Sequence, residues 1–315
     1  MSIPSHPNVT LPADLVVADH ALGPVRLHVA SAGPIDGPPV VLVHGFPETW
    51  WSWRHNIDAL TAAGFRVHAV DLRGYGLSQR EGPFDIDTLA ADLDAFIRTL
   101  PTQRAHVIGH DWGGAVAWHL ARRHRDRIDR LVIINVPPAE RLLNALFARP
   151  RAAQIKKSWY IFFFQLPLFP ERLLLSKNGG GVIRAIKSGA LDRTHFSTAE
   201  LEPFREAILR PGAATSMLGP YRDNGRLALA DLFRGRRPGT SSAERATPIT
   251  TPTTLLWGDA DPALDFDILC AGLETLVPDL TVHRLRGVGH FAHAERPDLV
   301  NPLMLQALGA GPARG

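Results

Sequence analysis

The stretch Val107–Ala121, "VIGHDWGGAVAWHLA", decides how this chain is read. A short apolar run, "AHVIG" at 105–109, leads into His110 and Asp111, and Gly113 and Gly114 open a segment of helical spacing near 113–124. Small residues two before, two after and three after a central residue let a strand turn abruptly into a helix while the central side chain stands clear. Here that residue is an aspartate, where such a turn normally presents serine or cysteine. Asp111 could merely cap the helix, so the other loops must decide between the two roles.

Working outward, β-rich runs occur at 25–30 ("VRLHVA"), 39–45 ("PVVLVHG"), 66–72 ("RVHAVDL") and 130–135 ("RLVIIN"), with amphipathic segments near 52–63 and 87–99 between them. Continuous apolar strands separated by helices predict an α/β fold with a mostly parallel, doubly wound sheet. The alternation stops after Pro137 and Pro138 and resumes with "TTLLWGD" at 253–259 and "LTVHRLRG" at 280–287. We therefore expect one core domain, 1–137 and 249–315, carrying a helical insertion at 138–248. The tail "GAGPARG" is expected to fray.

Composition narrows the class. Apolar residues make up 45% of the 315 and charged residues 21%, with a net charge of +3, as in an ordinary soluble globular protein. The basic run "FRGRRPG" at 233–239 lacks aromatic interleaving and reads as a solvated loop, so no nucleic-acid partner is expected. Cys270 is the only cysteine, which excludes an internal disulfide and a cysteine zinc site; "FDILCAGLETL" around it reads as a buried helix. The start "MSIPSHPNVTLPAD" has no signal-peptide pattern, and the apolar run "WYIFFFQLPLF" at 159–169 is too short and proline-broken for a membrane span. The cytoplasm is the expected location. "SKNGGGV" at 176–182 lacks P-loop spacing and reads as a turn, while "HLARRH" at 119–124 lacks the zinc-protease glutamate. No metal or organic cofactor is implied.

Reactive groups in open parallel sheets collect beyond the strands' carboxyl ends. Five loops fall there: "HGFPE" at 44–48, "DLRGYG" at 71–76, "GHDWGG" at 109–114, "WGDAD" at 257–261 and "GVGHF" at 287–291. In this order they resemble the α/β-hydrolase superfamily, and within it the epoxide hydrolase and dehalogenase branch, over nearly the whole chain. The resemblance makes Asp111 a nucleophile, and chemistry says why it is an acid. A serine attacking alkyl carbon would leave an ether, whereas a carboxylate leaves an ester that water can open at its carbonyl. Aspartate is also ionised at neutral pH and needs no base for its attack.

The resemblance further implies His290, directly after Gly289, as the base, with His293 on the following segment, and His44 and His110 as accessory residues that orient loops. Asp261 matches the family's acid, with Asp259 a turn or capping residue. Backbone amides of Phe46 and Trp112 are implied as the oxyanion hole. Tyr160, four residues before Phe164, and Tyr221, followed by Arg222, match the family's pair of cap tyrosines, whose phenols would protonate an opening epoxide. Phe164 and Trp112 are expected to contact substrate, and the cap aromatics Phe162, Phe163, Phe164 and Phe169 suggest an apolar pocket. Trp50, Trp51 and Trp53 read as packing residues.

The expected partner is thus an apolar small-molecule epoxide, opened to a vicinal diol through a covalent aspartyl ester by a monomer or homodimer. Two alternatives stay open. Trp112 also suits the halide site of a haloalkane dehalogenase, although Phe46 stands where that family places a halide partner; fluoroacetate dehalogenases, which act on a haloacid, carry His-Trp where this chain has Tyr160 and Ile161. The same fold also supports binding proteins that no longer turn over.

Overall fold

A computed structural model describes residues 9–236, 238 and 247–309. The tail beyond Gly309, and Arg237 and Gly239 of the basic run, lie outside them. Eight strands form one sheet in the order β1-β2-β4-β3-β5-β6-β7-β8. They are β1 (Val16–Ala21), β2 (Arg26–Ala32), β3 (Pro39–Val43), β4 (Arg66–Val70), β5 (Ala105–His110), β6 (Ile128–Ile134), β7 (Thr253–Gly258) and β8 (Leu280–Leu285). From β4 to β8 every pairing is parallel. The central strands are rich in branched apolar residues, and Val40, Leu42, Val107, Ile108, Val132 and Ile133 are wholly buried, as strands covered on both faces must be.

Two departures from the expected pattern occur at the sheet's first edge. β1 was not legible in the sequence, and β2 runs antiparallel to both β1 and β4. In β1, "VVADHA", no side chain is fully buried, so the strand exists because β2 offers it a ladder, and no apolar run announces it.

Helices α1 (Ile57–Ala62), α2 (Ile86–Ile97) and α3 (Asp111–Arg123) connect the strands. α2 packs on α3, and α1 packs on the helix Pro297–Leu308. The Asp85 side chain caps α2 by accepting from Thr88 N at 3.0 Å. α3 starts on Asp111 and ends on Arg122 and Arg123, charges that suit the two ends of the helix dipole. Trp50, Trp51 and Trp53 form a buried 3₁₀ turn before α1. The helix expected around Cys270 is shorter than its sequence suggests: Phe266–Leu269 is helical, and Gly272 at φ +70° then breaks the chain before a 3₁₀ turn. Burial, the main cause, pushes the Cys270 thiol up to about 12, which keeps it unreactive at neutral pH.

Between β6 and β7 the described chain is helical: α4 (Ala139–Leu143), α5 (Ala152–Lys157), α6 (Trp159–Phe163), α7 (Phe169–Gly189), α8 (Thr198–Ile208), α9 (Ala213–Met217) and α10 (Gly219–Phe233). The turn expected in 176–182 falls inside α7, where Ser176–Gly179 leave helical geometry and Lys177, Asn178 and Gly179 take left-handed backbone. α8 is closed by a reciprocal capping box between Ser197 and Glu200. These helices are tied to the sheet by side-chain bonds: Tyr75 Oη donates to Met217 O at 3.0 Å, Ser216 Oγ to Gly74 O at 2.7 Å and Trp51 Nε1 to Glu200 O at 2.9 Å. No helix among the described residues is long and apolar enough to cross a membrane.

Candidate active site

Strand order reverses around β3, with β4 on one side and β5 on the other, so the loops after β3 and β5 part and leave a crevice at their carboxyl ends. Asp111 stands there at φ +49°, a left-handed backbone that an L-residue rarely adopts. The turn is possible because its neighbours are glycines. A Cβ on Gly113 would strike the carbonyls of Val43 and His44, and one on Gly114 would strike Val136. Gly45 approaches so closely that a Cβ there would overlap the Asp111 side chain. That approach lets Phe46 N donate to Asp111 Oδ1 at 2.8 Å. Trp112, in the first turn of α3, has a backbone N–H with no acceptor inside the helix.

His290, in the loop after β8, places Nε2 3.5 Å from Asp111 Oδ2, and its Nδ1 lies 2.7 Å from Asp261 Oδ2. Asp261 Oδ1 accepts from the amides of Ala263 at 2.7 Å and Leu264 at 3.0 Å. Its other oxygen also accepts from Asn135 Nδ2 at 2.8 Å, while Asn135 Oδ1 takes Gly258 N at 3.0 Å. Asn135 is fully buried, at φ +50° just beyond β6, and no sequence motif pointed to it. Its one signal was a polar residue closing the apolar run "RLVIIN". Asp259 instead accepts from Gly287 N at the surface, at 2.8 Å.

The charges of Asp111, His290 and Asp261 support one another. Burial favours neutral carboxyls, yet His290 outweighs it and holds both Asp111 and Asp261 below the usual carboxylate range, helped by Phe46 N and Asn135 respectively. Burial likewise works against the His290 imidazolium, but the Asp261 and Asp111 carboxylates hold its pKa well above the ordinary value.

Behind His290 lies a second polar cluster that the sequence concealed. His110 Nε2 lies 3.0 Å from His290 O, and its Nδ1 2.8 Å from Glu48 Oε2. Glu48 also accepts from Gly45 N at 2.9 Å and from Ser52 Oγ, and Ser52 lies 2.7 Å from His293 Nε2. Burial raises the Glu48 carboxyl, but His110 and His293 outweigh it and hold it well below its usual value. "HGFPE" reads as a site loop with no role for its glutamate, whereas Glu48 is a buried hub that ties the Gly45 loop to the His290 loop. Donor atoms of Glu48, His110 and His293 lie within 4.8 Å of one another, as metal ligands would. Apart from Nδ1 of His293 they are spent on hydrogen bonds. His44, the other accessory histidine, pairs Nδ1 with Gly45 O at 2.8 Å and takes Leu72 N on Nε2 at 3.2 Å.

Across the crevice, Tyr160 on α6 and Tyr221 on α10 stand with ring centroids 6.0 Å apart, edge to face. Tyr221 packs edge-on to Trp112 at 5.1 Å and Phe46 at 5.3 Å, and Phe164 lies 4.9 Å from it. Burial, and then the Asp111 charge, push both phenols well above the ordinary tyrosine pKa, so both keep their protons. Two stays fix the pair: Gln165 Nε2 donates to Tyr221 O at 3.0 Å, and Arg222 donates to the carbonyls of Phe164 and Leu166 while pairing with Glu171 at 2.7 Å.

Two apolar cavities meet at Asp111, Tyr160 and Tyr221, one of about 430 Å³ towards His290 and α7, the other of about 320 Å³ towards α3 and α10. Phe163 and Phe164 line the first and Phe162 the second. Phe169 faces solvent, so it is not a pocket residue. A further bond joins helix and loop: His290 N donates to Gly189 O at 2.7 Å, where α7 ends, and a Cβ on Gly289 would strike that same carbonyl.

The chain matches the family model described as alpha/beta hydrolase fold over residues 38–297. It is 38% identical to AB hydrolase superfamily protein YfhM of Bacillus subtilis (strain 168), over 90% of this chain and 94% of that protein. It is 33% identical to epoxide hydrolase 3 of Xenopus tropicalis, over 89% of this chain and 74% of that one. Among solved structures, an epoxide hydrolase of Bacillus megaterium in complex with an inhibitor superposes with a TM-score of 0.83 at 27% identity, covering 93% of this chain and all (100%) of that one.

Proposed function

The chain belongs to the alpha/beta hydrolase fold family, and we propose that within it the protein is an epoxide hydrolase working through an ester on Asp111. The observation that carries this reading is the meeting of Asp111, Tyr160 and Tyr221 at the junction of the two apolar cavities. A carboxylate opposed by two protonated phenols suits a leaving oxygen that stays attached to the substrate and needs a proton.

Asp111 Oδ1 is held by Phe46 N, which leaves Oδ2 to attack a ring carbon. The C–O bond of the ring breaks as the ester forms, and the alkoxide takes a proton from Tyr160 or Tyr221. Forming the ester erases the Asp111 charge, one of the two carboxylates that hold the proton on His290. His290 therefore yields that proton more readily, resupplies the phenol, and becomes a base. Neutral His290 then takes a proton from water, and the hydroxide adds to the ester carbonyl. Charge gathers on Oδ1, facing the amides of Phe46 and Trp112. Collapse releases the diol and restores the carboxylate, with Asp261 holding the histidine tautomer throughout. Residues 138–248 act in this proposal as a cap that supplies the tyrosines and excludes water, over a core of 1–137 and 249–315.

The test is one turnover with enzyme in excess in heavy-oxygen water. Label is expected in Asp111 and hardly any in the first diol; label delivered straight to the diol would overturn the covalent route. Assays of aryl and alkyl epoxides beside matched haloalkanes and fluoroacetate separate the leaving groups. Diol without halide is expected, and halide without diol would assign the site to dehalogenation through Trp112.

A further inference from the structure

Between Arg149 and Lys187 the sequence carries eight basic residues and one acid, Glu171. That acid is spent on Arg222. Of the eight cations only Lys157 has an acidic partner among the described residues, Asp265 at 3.3 Å. The same segment exposes large apolar side chains: Trp159 is 58% exposed and Phe169 62%, with Leu166, Leu168 and Leu173 beside them in the chain. Isolated surface apolar residues need no explanation, but a cluster set among unpaired cations does. Phe169, Arg172 and Leu173 follow one another at helical spacing at the start of α7, so they share a face.

This face surrounds an opening. Lys157, Trp159, Leu173 and Arg184 line the 430 Å³ cavity that ends at Asp111, and Trp159, Leu173 and Arg184 are also exposed, so the cavity reaches the surface among them. Aromatic and leucine side chains ringed by lysine and arginine are the chemistry of a protein surface that lies in the headgroup layer of an anionic bilayer. A second copy of the chain fits poorly, because a twofold contact would set these cations against themselves.

We propose that this face docks on an anionic lipid surface, with the mouth of the Asp111 cavity turned towards the bilayer. An apolar substrate dissolved in the membrane then reaches the site without crossing water. The docking surface stands whichever bond Asp111 attacks.

Flotation with vesicles of phosphatidylcholine, with and without phosphatidylglycerol, tests it on the full chain. Binding is expected to the anionic vesicles and to fade at high salt. Each cation at such a surface is worth roughly fivefold in partitioning, so K156E with R172E should reduce binding by at least about tenfold. Phe169→Ser should weaken it by about fivefold through lost apolar burial. Arg98→Glu with Arg125→Glu makes the same change in net charge in the connections that lead into the amino ends of β5 and β6, away from the carboxyl ends where the cavity lies, and should leave binding within about twofold. Thermal unfolding verifies that each variant folds. Absence of partitioning, or an equal loss in the remote pair, overturns the proposal. So does concentration-dependent self-association that Phe169→Ser removes, which would give the face to a second copy.

Discussion

Replacing Asn135 by alanine tests how far the Asp261 carboxylate beside His290 depends on a residue outside any motif. Three losses follow from the geometry. The Asp261 carboxylate loses a 2.8 Å donor, Gly258 N loses its 3.0 Å acceptor in a fully buried place, and alanine must adopt φ +50°. A hydrogen bond to a charged group is worth about 2 kcal/mol, an orphaned buried amide costs about 1 kcal/mol or more, and left-handed backbone costs alanine about 1 kcal/mol. We expect N135A to lose about 4 kcal/mol of stability, a large part of what a domain has. Asn135→Gly loses the same bonds but not the backbone cost, and should recover about 1 kcal/mol of that. Guanidinium unfolding followed by tryptophan fluorescence measures both, and steady-state turnover should fall by about tenfold in each as Asp261 loosens. Loss of under about 1 kcal/mol in N135A, with glycine no better than alanine, would refute the reasoning.

Other outcomes follow from the same geometry. Tyr160→Phe and Tyr221→Phe should each slow ester formation by about a hundredfold, with the double variant slower than either, as rapid-quench trapping of the ester would reveal. Gly45→Ala sets a methyl against the Asp111 side chain and should cut turnover by at least about a hundredfold, measured beside far-UV circular dichroism to confirm folding. His68 is pushed down to about 4, chiefly by burial. The unfolded chain protonates that histidine near 6.5, so its contribution is full above 6.5 and lost as pH falls towards 4, roughly 3 kcal/mol in all. Urea midpoints of His68→Gln should therefore change less than wild type between pH 7 and 4.5. His290 has the opposite sign: its raised pKa stabilises fully below about 6.5 and less as pH climbs through the folded value, so His290→Gln should flatten the alkaline limb.

Much of the sheet could be read because its central strands are buried on both faces and so become unbroken apolar runs; β3 and β5 declare themselves this way. The turn at Asp111 was legible because glycine is sterically compelled at Gly113 and Gly114. β1 was hidden, since an exposed edge strand has no apolar signature and exists through its ladder with β2. Asn135 and Glu48 were hidden for a related reason. Each is a single polar residue whose work depends on partners far away in sequence, Asp261 for one and His110 with His293 for the other. Phe169 shows the converse: an aromatic residue announces burial, and only the packing of α7 shows that it faces outward.

The bond from His290 N to Gly189 O bears on how far these helices could be exchanged as a module. Inserted helices can be traded between relatives where their junctions with the core are flexible loops. Here the end of α7 is held to the backbone of His290, with no room for a side chain on Gly289. A transplanted set that ended this helix half a turn early or late would shift His290 against Asp111 and Asp261, even with both its tyrosines in register. A transplant into this chain therefore has to keep the Gly189 carbonyl in place, so the histidine loop and the far end of α7 form one structural unit.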